Sequence, residues 1–144
     1  MEMSQFTDYA LRVLIYSGLE SDRLVSVRSI AEAYDISQNH LVKVVHKLGQ
    51  LGYVNTYKGR GGGFELAHAP EDINIGKVVR QTERFDIVEC LSSSGGSCCI
   101  AGFCELKSAL AKARLAFLKV LDGYTLKDFL KPGSPLRAAL NVSV

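Results

Sequence analysis

The sequence lacks the features that would mark a membrane, secreted or repeat protein. No stretch of its 144 residues approaches the roughly 18 consecutive apolar residues that span a membrane, and the start of the chain lacks the basic segment of a signal peptide. There are no internal repeats, and a net charge of +2 is too small to indicate a nucleic-acid partner by itself. We therefore expect a cytoplasmic globular protein with no membrane partner, built as one domain or as one small domain with an accessory element.

A helix-turn-helix followed by a β-hairpin is predicted in the first half of the chain. Ser26 and Ser37 are each expected to cap a short helix, and apolar residues recur at helical spacing along both helices. This pattern alone is a weak signal because many helix pairs share it, but a glycine-rich hairpin directly after it is typical of a winged helix. The predicted fold class is therefore mainly α with a small β-hairpin wing. The expected strands cover residues 53–57 and 64–66, joined by a turn at residues 58–63.

Further helices are predicted on both sides of this unit. Ser4, Asn74 and Thr125 are expected to cap three of them, and a long helix with a broad apolar face begins near Glu105. Between these helices lies a loop rich in serine, glycine and cysteine. We divide the chain into a winged helix-turn-helix domain, a cysteine-bearing loop, a long helix followed by a short one, and a weakly structured tail. These segments cover residues 1–84, 85–104, 105–131 and 132–144 respectively.

The cations concentrate on the predicted helix-turn-helix and wing. No Asp or Glu occurs between Ile36 and Phe64, so four Lys and Arg residues give this segment +4 within a nearly neutral protein. Amide side chains can pair with adenine edges, lysine can contact guanine or phosphate, and a glycine-rich tip lets an arginine enter a minor groove. The alternative is an ordinary solvated face, and for His40 a surface or partly buried helix position. The candidate DNA-binding residues are Ser37, Gln38, Asn39, His40, Lys43, Lys47, Lys58, Arg60, Gly61 and Gly62.

Four cysteines lie within one short loop. They lack the two C-x-x-C pairs that structural zinc prefers, and a reducing compartment disfavours disulfides. Seven residues separate Cys90 from Cys98 and five separate Cys98 from Cys104, so the loop is loose enough to wrap an iron–sulfur cluster. Adjacent cysteines cannot readily bind one compact cluster, so either Cys98 or Cys99 is spare. The alternatives are buried inert thiols or a reactive redox pair.

Several motifs, in their expected order, resemble a known family of regulators. Residues 6–12, 39–44, 48–54 and 60–63 read FTDYALR, NHLVKV, LGQLGYV and RGGG. They are similar to the corresponding motifs of the NsrR repressors, which sense nitric oxide and belong to a group of winged-helix regulators that also contains IscR. The resemblance covers roughly residues 1–131.

The resemblance implies a ligand set for an iron–sulfur cluster. Cys90, Cys98 and Cys104 correspond to the family's three cysteine ligands, which makes Cys99 the spare. Asp8 corresponds to a fourth ligand, donated by the other subunit of a homodimer, although on sequence grounds alone an aspartate in a first helical turn more often offsets the helix dipole. IscR-like members carry a histidine ligand where this chain has Lys107, which favours the NsrR branch. The implied cofactor is a 4Fe–4S cluster, with 2Fe–2S as the alternative.

The resemblance also implies a function. It indicates a homodimeric DNA-binding transcriptional repressor in which the helix beginning near Glu105 packs against its twin and the operator is a near-palindrome. Nitric oxide is the signal, and cluster nitrosylation relieves repression of nitric-oxide-detoxification genes. A regulator that senses iron supply, cluster supply or redox state is one alternative. An iron–sulfur carrier or electron-transfer protein is another. We expect no enzyme, because no histidine is placed in sequence to serve as base for a cysteine nucleophile.

Overall fold

The computed structural model describes residues 1–142. These residues form six α-helices and one two-stranded antiparallel sheet. Single turns of 3-10 helix occur at Pro70–Asp72, Glu89–Leu91 and Leu126–Phe129. The helices are α1 (Gln5–Leu19), α2 (Val27–Tyr34), α3 (Gln38–Gln50), α4 (Ile75–Thr82), α5 (Glu105–Asp122) and α6 (Leu136–Ala139), and the strands are β1 (Val54–Tyr57) and β2 (Gly63–Leu66).

Most of the expected helix caps are confirmed. Ser4 accepts a hydrogen bond from the Thr7 N–H at 3.2 Å, Ser26 accepts one from the Ser29 N–H at 3.0 Å, and Asn74 accepts one from the Lys77 N–H at 2.9 Å. Ser37 occupies the N-cap position of α3, but its side chain makes no capping hydrogen bond. The start of α3 therefore depends on packing and on the turn before it rather than on a side-chain cap.

The turn and the hairpin that define a winged helix are both present. Asp35 adopts a left-handed conformation with φ of 53°, which reverses the chain between α2 and α3 within a few residues. The sheet pairs Val54 with Leu66 and Tyr57 with Gly63. The mainly α fold with a β-hairpin wing is thus confirmed. The strands differ from the predicted ranges by one residue each, because β1 begins at Val54 rather than residue 53 and β2 begins at Gly63 rather than residue 64.

One hydrophobic core joins the first four helices to the hairpin. Its members come from every one of these elements and are almost entirely shielded from solvent. Helix α5 contributes only Leu118 as a fully buried residue and packs against α4. Among the helices of residues 1–142, none is both long and apolar enough to cross a membrane. Core side chains include Leu14, Ile30, Leu48, Phe64, Val78 and Leu126.

The end of the chain differs from the weakly structured tail expected at residues 132–144. Helix α6 forms within it, Leu140 and Val142 are buried, and the Arg137 guanidinium donates a hydrogen bond of 2.7 Å to the Leu19 carbonyl. Apolar residues after the Pro-Gly pair supply this anchoring. The capping box at Thr125 is present, but the segment that it starts is a 3-10 turn ending at Phe129. Residues 143–144 lie outside the described part.

Candidate nucleic-acid interface and cysteine loop

Helix α3 has one buried side and one solvent-facing side. Leu41, Val44, Val45 and Leu48 are buried, which leaves the remaining face for an external partner. One apolar residue, Val42, lies on that exposed face, with 54 % of its surface accessible. The polar residues Gln38, Asn39, His40, Lys43, His46, Lys47 and Gln50 are all exposed.

The wing extends next to α3 and carries the other two predicted cations. Lys58 and Arg60 are both exposed. Gly61 has φ of 76°, a conformation that side-chain-bearing residues rarely adopt. At Gly62 an added Cβ would lie 2.3 Å from the Tyr57 carbonyl oxygen. Both glycines are therefore required by the turn itself, and they hold Arg60 at its tip.

The four cations of the acid-free segment thus lie on one reader unit made of α3 and the wing. Glu65 is the acidic residue closest in sequence to Arg60. Its Oε1 accepts a hydrogen bond of 2.8 Å from the Tyr57 hydroxyl. This bond raises the pKa of Tyr57. We refer below to α3 together with residues 54–66 as the reader.

His40 and Ser37 occupy the start of the reader helix in different ways. The His40 ring contacts the Tyr9 ring of α1, with 6.3 Å between the ring centroids. Ser37 is exposed and, because its hydroxyl makes no capping bond, that hydroxyl is available to a ligand at the helix N-terminus. The N-terminal end of a helix attracts phosphate oxygens.

The predicted cluster ligands lie in the segment between α4 and α5. All four cysteines are free thiols. Cys90 belongs to the 3-10 turn at Glu89–Leu91, and Cys104 is the N-cap of α5. Both are partly buried, whereas Cys98 and Cys99 are exposed. This placement ties the first and last predicted ligands to structured elements and leaves the adjacent pair on the connecting loop.

Polar bonds close the loop that joins Cys90 to Cys98. The Glu89 carboxylate accepts a hydrogen bond from the Ser97 N–H at 3.2 Å and one from its hydroxyl at 3.4 Å. An added Cβ on Gly96 would lie 2.8 Å from Glu89 Cγ, so a larger residue there would have to displace the Glu89 side chain. We call this contact of Glu89 with Gly96 and Ser97 the loop clasp. Glu89 precedes Cys90 and Ser97 precedes Cys98, so the clasp closes the seven-residue segment between these two cysteines.

Arg114 fastens the same segment to α5. Its Nη1 donates to the Phe85 and Leu91 carbonyl oxygens, each at 3.4 Å. The sequence interpretation missed both Arg114 and Glu89. Arg114 carries no local signal, since its partners are backbone atoms distant in sequence, whereas the positions of Glu89 and Ser97 directly before two cysteines could have indicated the clasp.

Asp8 lies in the first turn of α1 and forms an ion pair with Arg12. The Arg12 Nη2 is 2.8 Å from Asp8 Oδ2, and the Asp8 side chain is 44 % exposed. The Arg12 guanidinium carbon lies 5.8 Å from the centroid of the Tyr9 ring and 5.5 Å from that of Tyr34. Burial raises the pKa of Tyr34 to about 12 against the opposing effect of Arg12, so Tyr34 remains a neutral ring.

The donor types suit an iron–sulfur cluster, although one chain does not gather them. Within residues 1–142, no three His, Cys, Asp or Glu side chains form a group that could hold a metal ion. Three thiols on a glycine-containing loop are the soft ligands that such clusters take. The position of Cys104 at the positive end of α5 also favours a negatively charged ligand assembly. By donor chemistry, Cys90, Cys98 and Cys104 fit the cofactor.

Comparison with protein families gives a match over most of the chain. The model of the Rrf2 family, described as iron-dependent transcriptional regulators, matches residues 3–132. The HTH-type transcriptional regulator NsrR of Bacillus subtilis (strain 168) is 53 % identical over 133 residues, which cover 91 % of each chain. The regulator of the same name from Halalkalibacterium halodurans is 47 % identical over 144 residues, which cover 99 % of each chain.

Solved structures give the same result for the fold. The chain is similar to T. potens IscR with a TM-score of 0.73 and 27 % identity, over 93 % of this chain and 89 % of that one. It is also similar to Staphylococcus aureus CymR with a TM-score of 0.72 and 26 % identity, over 91 % of this chain and 99 % of that one.

Proposed function

Because the chain belongs to the Rrf2 family of transcriptional regulators, we propose that it is a homodimeric DNA-binding repressor that responds to nitric oxide through an iron–sulfur cluster. Its relatives are transcriptional regulators and not enzymes. Relatives named NsrR, 45–53 % identical to this chain, support this branch of the family.

The observation that carries the DNA-binding part is the reader. All four cations of the acid-free segment are exposed on it, and the opposite side of α3 is buried. Phosphate contacts from such cations position a protein on DNA, while a few side chains of the helix read base edges. In a twofold dimer the two reader helices would enter successive major grooves about 34–36 Å apart, so the operator would be a near-palindrome.

Arg60 tests the wing. We expect Arg60→Ala to weaken binding to the selected operator and to reduce the slope of log affinity against log salt by about one. Lys77→Ala is the matched control, because Lys77 is an exposed cation on α4, outside the reader. An unchanged slope in Arg60→Ala, measured by fluorescence anisotropy across a salt series, would remove the wing from the interface.

Helix α5 supports the homodimer. It leaves Leu106, Leu115 and Val120 exposed along its length, and Ile100 and Phe103 are exposed just before it, Phe103 by 94 %. These exposed apolar side chains are the ones that a partner could shield from solvent. A second copy of α5 covers it in the proposed dimer, which analytical ultracentrifugation would detect as twice the chain mass of 15.7 kDa.

Cys90, Cys98 and Cys104 would hold the cluster, with Asp8 of the second subunit as the remaining ligand. When bound, the cluster would supply iron atoms that react with nitric oxide. The Asp8 carboxylate has two oxygens and therefore offers a lone pair beyond those taken by Arg12. The loop clasp closes the segment that ends at Cys98, and the family resemblance favours Cys98 over Cys99 as the ligand.

A series of contacts joins Asp8 to the reader of its own chain. Asp8 pairs with Arg12, Arg12 lies over the Tyr9 ring, and that ring contacts His40 in the first turn of α3. A change in the partners of the Asp8 carboxylate would reach the first turn of α3 through this series. A coupling of about 3 kcal/mol between the two sites would change DNA affinity about a hundredfold.

Oxygen-free purification tests the sensor. We expect a coloured protein that contains iron and sulfide and that loses affinity for its operator when titrated with nitric oxide. Cys98→Ser should abolish the colour, and its neighbour Cys99→Ser, the matched control, should retain it. Asp8→Ala should lower the response to nitric oxide. A colourless, iron-free protein that still binds its operator would refute the sensor but not the DNA-binding function.

A further inference from the structure

Val42 stands out on the exposed face of α3. Of the residues in that helix, all of them described, it is the one apolar side chain left open to solvent, at 54 % exposure. A β-branched residue on an exposed helical position is unfavourable for helix stability compared with alanine or lysine. Neither the core nor local helix propensity therefore accounts for valine at this position.

The neighbours of Val42 are residues of the reader. In a helix, residues three and four apart are neighbours on the surface, so Val42 adjoins Gln38, Asn39 and His46, each of them exposed. Val42 also lies in the N-terminal half of α3, the part of a recognition helix that contacts base edges. Its side chain is thus surrounded by polar groups suited to the floor of a major groove.

The major groove offers one apolar feature, the methyl group of thymine. We propose that Val42 contacts a thymine methyl in each operator half-site and thereby sets sequence preference at that base pair. The inference rests on the proposed DNA-binding function and adds a specificity determinant to it. Lys43 and Lys47 would supply phosphate or guanine contacts on the adjacent part of the same face, whereas Val42 reads a group that carries no charge.

The test replaces single thymines by deoxyuridine, which lacks only the methyl group. The probe is a duplex that the full-length wild-type protein has selected from a random pool, with each thymine exchanged in turn. Burial of one methyl group corresponds to a change in affinity of about fourfold. We expect one symmetry-related pair of thymines to give about a fourfold loss when one is replaced and about a fifteenfold loss when both are.

Val42→Ala identifies the residue responsible. Alanine favours the helix, so the variant should fold as the wild type does, which circular dichroism checks. Its affinity for the thymine duplex should fall by a similar factor, and it should no longer distinguish thymine from uracil at that position. The slope of log affinity against log salt should be unchanged, because no phosphate contact is lost.

Lys43→Ala is the matched control on the same face. It should flatten the salt dependence and retain the preference for thymine over uracil. If Val42→Ala discriminates thymine from uracil as strongly as the wild type, the inference is overturned while the proposed function stands. If the wild-type protein selects no sequence from the pool, the proposed DNA-binding function fails, and the inference fails with it.

Discussion

The reader and the cysteine loop differ in what holds them in place. The reader is fixed by apolar side chains from α3 and the hairpin that enter the common core, and a single chain forms it. The loop between α4 and α5 has no buried residue in the range 89–104, and it is held by the loop clasp and by Arg114. The reader is therefore built into the fold, whereas the segment that carries the candidate cofactor ligands is held by a few polar bonds. Core substitutions should destabilise the whole fold, while loop substitutions should alter the cofactor site alone.

The largest expected effect comes from the core beneath the reader. Leu48 is wholly buried on α3, and Leu48→Ala should lower the free energy of unfolding by about 2–5 kcal/mol because it removes buried methyl groups and leaves a cavity. Urea denaturation of the cluster-free protein measures this loss. Cys98→Ser is the comparison, with an expected change within about 0.5 kcal/mol. Equal losses in the two variants would show that the loop is part of the core.

A smaller effect on stability should distinguish Ser26 at the start of α2 from Ser37 at the start of α3. Ser26 caps α2 through its hydroxyl, so Ser26→Ala should cost about 1 kcal/mol of stability. Ser37 makes no such bond, so Ser37→Ala should leave thermal stability nearly unchanged and should instead weaken DNA binding. A loss of stability in Ser37→Ala similar to that in Ser26→Ala would contradict the observed cap geometry.

Low pH should weaken the hydrogen bond between the Ser4 N–H at the start of α1 and the Glu83 carboxylate at the end of α4. Burial raises the pKa of Glu83, but hydrogen bonds from the N–H groups of Ser4 and Arg84 outweigh it and hold the pKa below its ordinary value of 4.5. The stability that this carboxylate contributes is present above about pH 4.5 and is lost as the pH falls through the lowered pKa. Glu83→Gln should therefore show a shallower loss of stability between pH 5 and pH 3, measured by urea denaturation at each pH. A slope identical to that of the wild type would exclude Glu83 as a contributor.

The smallest effect on folding is expected in the cysteine loop. Gly96→Ala places a Cβ against Glu89 and should open the loop clasp, whereas a Cβ at Gly102 meets nothing within 4 Å. Both variants should unfold like the wild type, but only Gly96→Ala should slow the disulfide that forms between Cys90 and Cys98 when the cluster-free protein is oxidised, detected by mass spectrometry. Equal rates of disulfide formation in the two glycine variants would show that the loop clasp does not position Cys90 and Cys98.

The reader could be predicted from the sequence because its signals are local. Helical periodicity, the glycines of the wing and the run without acids all lie within residues 26–66, and the structure confirms the elements that they predict. The Arg114 contacts could not be predicted in the same way, since they depend on carbonyl groups more than twenty residues away. The proposed role of Asp8 as a ligand is a further case, because it came from the family resemblance and not from any pattern in the residues around Asp8.

The anchoring of the C-terminal segment sets the limits of the cooperative unit. The family match ends at residue 132, yet Arg137 binds the last turn of α1, and Leu140 and Val142 enter the core. The match to the family model therefore ends before the folded unit does. A chain truncated at residue 132 would expose part of the surface that packs against α1, so such a truncation should destabilise the fold while every residue matched by the family model remained in place.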